Sequence, residues 1–395
     1  MMKKLLLTCC LVSCSFFGHA QDRPLVTSAD SIKSMFDYLF PKAKTDLTSN
    51  MNVEFYTSGA ANFTDGKLDE TAFKLNRVRM EVLGTLKKKF FYHFRQAFNN
   101  NTTPESLDNI ASSIEYALIG WDTSDKFKLT FGKQFFALGG YEYYVSAISV
   151  REYSEFNNNS PAYLAGVSGT IELSPSQELI VQLLNSRNGS YEHTFAHGLP
   201  EGVGKSKAPL MATLNWNGGF VDKTIQLRYA AAWGQLAEKK NVYYLTAGNI
   251  YEKGPAVAYV DVMYSNEDLD SKGIISRLQG APVANPVTAE NLGYFSVIAN
   301  LDYRIHSHWN LYVKGAYETA RVNKSNGPFE KGLYCTNWNL QACAEYLPIK
   351  NMDLKIFAHW LYKGHHLEQR AKALGAECPN TQRISLGVVY VMPVF

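Results

Sequence analysis

The sequence predicts an all-β fold, a transmembrane antiparallel β-barrel of sixteen strands, with eighteen as the alternative count. Three observations carry this. Segments of about ten residues alternate between apolar and polar side chains. The connections between them are short, then long, in turn. The N-terminus reads as an export signal, and no later run approaches the ~18 to 20 uninterrupted apolar residues of a membrane helix.

The first residues set the compartment. Lys3 and Lys4 are a charged n-region, Leu5 to Phe17 an apolar core, and Gly18-His19-Ala20 a small-residue cleavage site. The expected layout is a signal peptide over 1–20, a short periplasmic lead-in over 21–46 and a barrel over 47–395. Leu11-Val12-Ser13-Cys14 offers a competing cut, with lipid on Cys14.

Composition narrows the rest. Lys+Arg number 39 and Asp+Glu 36, a difference of three, and Lys3 and Lys4 leave with the signal, so about one positive charge remains. Neither that balance nor any basic run points to nucleic acid. Tyr and Phe are abundant, at 24 and 22. Three of the six cysteines lie in the signal. The odd remainder, Cys335, Cys343 and Cys378, is no disulfide framework. Cys335 and Cys378 fall at outer ends of adjacent loops and could form one bridge. Cys343, about 26 Å down a strand from Cys335, would stay free.

The strands are expected at 47–58, 71–86, 89–98, 110–121, 126–135, 162–174, 178–187, 208–217, 223–234, 242–249, 256–265, 292–304, 309–319, 335–347, 352–362 and 381–395. Short turns include Lys87-Lys88, Ser174 to Gln177 and His306 to His308. Long polar loops are expected at 59–70, 99–109, 136–161, 188–207, 266–291, 320–334 and 363–380. A soluble sandwich has no reason to gather its long loops at one end. The face code is consistent: Trp338, Leu340, Ala342 and Ala344 oppose Asn337, Asn339, Gln341 and Glu345, and Ile225, Leu227 and Tyr229 oppose Thr224, Gln226 and Arg228. With the apolar face on lipid, the polar face lines a wet lumen.

The last strand reads Arg383 to Phe395. Ile384, Leu386, Val388, Tyr390 and Met392 share its lipid side. A lipid-facing Phe395 needs the opposite parity, so a bulge near Met392-Pro393 is expected to shift the register.

Phe73 to Tyr92 reads F-K-L-N-R-V-R-M-E-V-L-G-T-L-K-K-K-F-F-Y, followed by Ile114-Glu115-Tyr116 and Leu129 to Phe135, L-T-F-G-K-Q-F. This stretch resembles the phosphate-selective porin O/P family of bacterial outer-membrane porins. Asn76 departs from the family's first arginine, and the usual aromatic-x-Phe ending is replaced by Tyr390-Val-Met-Pro-Val-Phe395. The resemblance implies an outer-membrane location in a Gram-negative bacterium and a homotrimer. It implies passive diffusion of small hydrophilic solutes, including anions such as phosphate. It further implies contact with outer-membrane lipid and recognition of the C-terminal strand by the barrel assembly machinery. No cofactor and no enzyme activity is expected.

Inward-facing Arg77, Arg79, Arg95, Lys126 and Lys128 would form a basic strip that lowers the barrier for anions. Glu81, Glu115 and Glu172 are available to neutralise it, and the whole wall counts ten bases against nine acids. The 136–161 loop is the constriction candidate. It carries Gly139-Gly140 for a sharp bend, then Tyr141, Glu142, Tyr143, Tyr144 and Arg151; an external cap is its alternative. His193-x-x-x-His197 and the loop pair His365-His366 lack a third metal ligand. His93 and His359 have no Ser and carboxylate at a hydrolase spacing. A closed barrel serving as surface adhesin or scaffold is the other functional class.

Overall fold

The computed structural model describes residues 47–394, apart from 281, 282 and 351. The signal, lipobox and lead-in assignments, and Phe395, lie outside the described residues. Sixteen antiparallel strands close into one barrel, each paired with its neighbour in sequence and β1 with β16. They are β1 (Leu47–Thr64), β2 (Lys67–Leu86), β3 (Phe90–Ala97), β4 (Ile114–Ser124), β5 (Phe127–Phe135), β6 (Tyr163–Ser174), β7 (Gln177–Asn185) and β8 (Leu210–Phe220). The second half is β9 (Ile225–Ala237), β10 (Lys240–Lys253), β11 (Ala256–Leu269), β12 (Glu290–His306), β13 (Trp309–Val322), β14 (Gly332–Tyr346), β15 (Leu354–Leu367) and β16 (Thr381–Pro393). Every expected strand is present. Closure leaves no edge at the seam, which an open sheet in lipid could not tolerate.

The face code holds around the wall. Ile119, Val260, Leu301, Val313, Leu340, Ile384 and Leu386 are exposed on the outside, whereas Glu54, Thr213, Asp261, Gln341 and Ser385 are buried inside. An apolar band of this size in water would be costly; against acyl chains it is not.

Two expectations need correction. Residues 59–70 are not a loop: β1 and β2 run on, joined by the two-residue turn Asp65-Gly66, both at positive φ. That is the hairpin geometry an Asp-Gly pair favours. No bulge occurs at Met392-Pro393, because β1 pairs through Val53 with Met392 and Asn52 with Pro393. Pro393 ends the strand, where one missing N–H costs least. Register shifts occur elsewhere, two of them in the β1–β2 ladder, after Tyr56 and after Asn62. Tyr56 pairs with Arg77 and Thr57 with Leu75, leaving Asn76 as the extra residue. The pattern flips there: Phe73 and Leu75 face out, and beyond the bulge Arg79 and Glu81 face in.

One end of the barrel carries short connections, of two to seven residues. The other carries the loops 98–113, 136–162, 186–209, 270–289, 323–331 and 368–380. Several of these fold inward. Phe136, Leu138, Tyr143, Phe156, Tyr191, Phe195, Ile275 and Phe329 from the loops join Leu184, Met211, Tyr244 and Met263 from the wall in one buried apolar cluster. The lumen is thus not lined by polar groups alone, as the alternation suggests; on this side it holds a core.

Candidate functional site

The 136–162 loop turns into the barrel directly after β5. Gly139 and Gly140 take positive φ, and a Cβ built on Gly248 of β10 would lie 2.6 Å from the Gly140 Cα. Two glycines let the loop backbone meet the wall. Immediately after them, the Tyr141 and Glu142 amides both donate to Asp261 Oδ2 of β11, at 2.8 Å each. Arg228 of β9 lies over the Tyr141 and Tyr144 rings, 4.8 and 4.6 Å from their centroids. Such stacking holds a cation by the ring quadrupole.

Glu142 is the hub. Its fully buried carboxylate accepts from the Ser154 amide, Ser154 Oγ at 2.6 Å, Asn157 Nδ2 at 2.6 Å and Lys314 Nζ of β13 at 2.5 Å. It ties both arms of the loop to the wall. Beyond it, Glu318 of β13 accepts from the amides of Glu155 and Phe156, at 2.7 and 2.8 Å. These amides open the short helix Glu155–Asn158, whose first N–H groups have no helical partner.

The tip reaches the far wall. Arg151 donates to Glu345 Oε1 of β14 at 2.7 Å and stacks 4.2 Å from the Phe357 ring centroid. Glu152 accepts from Lys363 Nζ of β15 at 2.7 Å and from Arg383 of β16 at 2.8 Å. Burial pushes the Glu152 carboxyl up, but Lys363 and then Arg383 outweigh it and hold it below its ordinary value. Ser146 Oγ accepts from Arg79 of β2 at 3.1 Å. The loop therefore spans the lumen from β5 to the opposite strands.

The five bases expected as a strip are not one feature. Arg79 and Arg95 come together, each only 1 % exposed. Arg79 is bidentate to Glu54, at 2.6 and 2.7 Å, and 3.2 Å from Glu115. Arg95 meets Glu115 at 2.7 Å, Glu81 at 3.5 Å and the Tyr163 hydroxyl. His93 Nε2 lies 2.6 Å from Glu81. Three carboxylates surround two guanidiniums, so no positive field remains at this point. Arg77, beside the bulge, is half-buried and makes no ion pair among the described residues. Lys126 and Lys128 lie apart, toward the tight-turn end of β5.

Sequence reasoning missed Glu152, Lys363 and Arg383 as a group. They are half-exposed in the lumen, together with Arg77 and Tyr153. Their only signal is Glu152's place in a long Gly-Gly loop; nothing in sequence names the partners 211 and 231 residues away.

Among the described residues no group of three His, Cys, Asp or Glu could hold a metal. His193 sits 3.8 Å from Glu105, whereas His197 Nε2 is 3.1 Å from the Ser276 carbonyl oxygen. His365 and His366 belong to β15 rather than to a loop, and His365 Nδ1 lies 3.0 Å from Asn337 Oδ1. Cys335, Cys343 and Cys378 are free thiols, so the bridge considered above is not formed.

A closed sixteen-stranded barrel with tight turns at one end, long loops at the other and one loop tied across its lumen is the architecture of outer-membrane channel proteins. The family description "Phosphate-selective porin O and P" matches residues 49–392, and the chain belongs to that family, a channel for small solutes. Solved structures share the fold. The outer membrane channel DcaP of Acinetobacter baumannii is 12 % identical over 89 % of this chain and 99 % of its own, with a TM-score of 0.61. OmpT of Vibrio cholerae, in a trimer form, is 12 % identical over 88 % and 99 %, at 0.52. OmpF of Salmonella typhi, in complex with daunomycin, is 11 % identical over 88 % and 97 %, at 0.55. No curated protein matches the chain.

Proposed function

We propose that this porin passes small hydrophilic solutes, phosphate and other anions among them, between the inserted loop and the wall formed by β15, β16, β1 and β2. The observation that carries this is the partly exposed group Arg77, Glu152, Tyr153, Lys363 and Arg383, above the buried wall residues Arg79, Gln341, His359 and Ser385. Lys363 and Arg383 pair with Glu152, Glu155 lies 3.4 Å from Lys363, and Arg77 stands on β2 toward Tyr153. Three cations against two carboxylates give a mild positive field in a narrow passage, which favours anions. Loop residues Tyr141, Glu142, Tyr143, Tyr144 and Arg151 act as the constriction by holding the loop in place. Arg79 and Arg95 brace the wall. The tight-turn end, with the start of β1 and the end of β16, faces the periplasm, the long loops face outside, the protein acts as a homotrimer and it is a channel rather than an enzyme.

Refolded protein in planar bilayers should give stepwise conductance. A persistent absence of steps refutes the channel. In a KCl gradient, Glu152→Gln should move the reversal potential toward chloride, and Arg77→Ala should move it the other way. If neither moves it, the passage does not run here.

A further inference from the structure

Below the Glu152 group, toward the short connections, the inward face of the wall stops being polar. Tyr56 of β1, Tyr312 of β13, Cys343 of β14, Phe357 of β15 and Val389 and Val391 of β16 form one buried apolar cluster. These are lumen positions, because the alternate residues Ile356, Leu386 and Val388 are exposed on the outside. Gly387 pairs with Phe357 across the β15–β16 ladder and leaves room for its ring: a Cβ built there would lie 2.5 Å from the Phe357 Cζ. The ring therefore lies against the wall and meets the Tyr56 ring edge-on, with 5.6 Å between centroids.

The tip of the inserted loop covers this collar. Arg151 lies over both rings, 4.2 Å from the Phe357 centroid and 5.4 Å from that of Tyr56. The Tyr312 hydroxyl donates to the Val150 carbonyl oxygen at 3.4 Å. With the tip in place Phe357 is 2 % exposed and Val389 1 %. A bore wide enough for a hydrated ion would leave its lining in water, so the passage is shut at this level.

The arginine's seat is strained and only partly satisfied. Its φ of +62° is left-handed, a conformation that a Cβ disfavours. Its Nε and Nη1 are buried and have no hydrogen-bond partner among the described residues, which is costly. Nη2 alone donates, to Glu345. Glu345 also accepts from Asn310 Nδ2 at 3.1 Å and lies 3.8 Å from Lys355 Nζ, so it does not depend on Arg151. Relaxing φ at this one residue would swing the side chain off the collar within the lumen, while the Glu142 and Glu318 anchors keep the loop seated.

We infer that Arg151 and the collar of Tyr56, Phe357 and Val389 form a gate. The passage is closed while the arginine covers the apolar ring, and it conducts when the arginine leaves and the ring wets, as hydrophobic constrictions do. The gate rests on the passage proposed above and gives it a closed resting state.

The test uses the refolded full chain in planar bilayers. Wild type should show brief openings between long closures. Phe357→Ser/Val389→Ser, which wets the collar, and Arg151→Ala, which removes its cover and leaves the wall intact, should each raise the open fraction at least fivefold. Both should keep the heat-modifiable gel migration of an intact barrel. Cys343 is a native reporter inside the collar. A small methanethiosulfonate should label it at least fivefold faster in Arg151→Ala, and should label Cys335, buried at the long-loop end of β14, at the wild-type rate. A steadily open wild type, or variants with wild-type open fraction and Cys343 labelling, overturns the gate and leaves the channel standing. Unchanged reversal potentials in Glu152→Gln and Arg77→Ala displace the passage, and the gate falls with it. Silence from wild type and both gate variants overturns the channel itself.

Discussion

Glu142→Gln is the sharpest perturbation of the inserted loop. The substitution keeps the shape and removes the charge that faces Lys314. Lys314 Nζ, almost fully buried, would keep its bond to the Glu152 carbonyl oxygen and would meet at most a neutral amide oxygen where the carboxylate stood. Removing one partner of a buried pair costs about 3–5 kcal/mol, because the other charge is left uncompensated. The loss falls on the seating of the loop rather than on the sixteen-strand ladder. At about 1.4 kcal/mol per tenfold, the unseated fraction rises roughly 10²- to 4 × 10³-fold. Trypsin reads this directly. Arg151 is held inside the barrel by Glu345 and Phe357, so the bond after it is cut only when the loop leaves. Where opening and reclosing are fast, the cutting rate follows the open population. The clip after Arg151 should therefore speed up by that factor in Glu142→Gln and fall back at least tenfold in Glu142→Gln/Lys314→Met, which removes both charges. A clip rate within threefold of wild type in the single variant would refute the hub.

Arg79→Met leaves Glu54 and Glu115 buried against one less guanidinium; it should cost about 3–5 kcal/mol in denaturant unfolding and leave the reversal potential near its wild-type value. Gly140→Ala should cost about 1–2 kcal/mol, from the positive φ and the 3.2 Å approach of a new Cβ to Asp261 Oδ2, and should loosen the loop in the trypsin assay. The lowered Glu152 carboxyl gives a pH signature. A depressed folded pKa means that its contribution is present above the unfolded value and is lost as pH falls through the folded one. Conductance should hold across neutral and mildly acidic pH and change only once pH falls below the ordinary glutamate range. In the folded protein a maleimide should label Cys378, which is half-buried, well before the buried Cys335 and Cys343, as mass spectrometry would show.

The wall was legible because lipid enforces alternation: a strand with Leu340, Ala342 and Ala344 on one side and Asn339, Gln341 and Glu345 on the other has few other homes. The reading failed where lipid does not act. Residues 67–71 carry Lys67, Asp69 and Glu70 and look like a loop, yet they are strand, because hydrogen bonds to β1 hold them above the apolar band. The flip at Asn76 is visible in sequence once Phe73 and Leu75 are set beside Val78 and Met80. The turn of the loop into the lumen follows from Gly139-Gly140 and length. Its anchors could not be read, because Asp261, Lys314, Glu345 and Arg383 are fixed by a closed barrel and not by local pattern. The same distance explains why Arg79 and Arg95 look like a strip in sequence while Glu54, from another strand, cancels Arg79 in space.

The anchors of the inserted loop have an order in time. The bonds from residues 136–162 to β13–β16 join positions 162 to 231 apart, and none can form before those strands exist. Seating the loop is therefore among the last events of folding, since contacts this distant come after the ring has closed. A barrel caught before that moment would conduct through an unobstructed bore, so a transient burst of large current during refolding into bilayers is the signature of a protein that builds its pipe first and fits its throat afterwards.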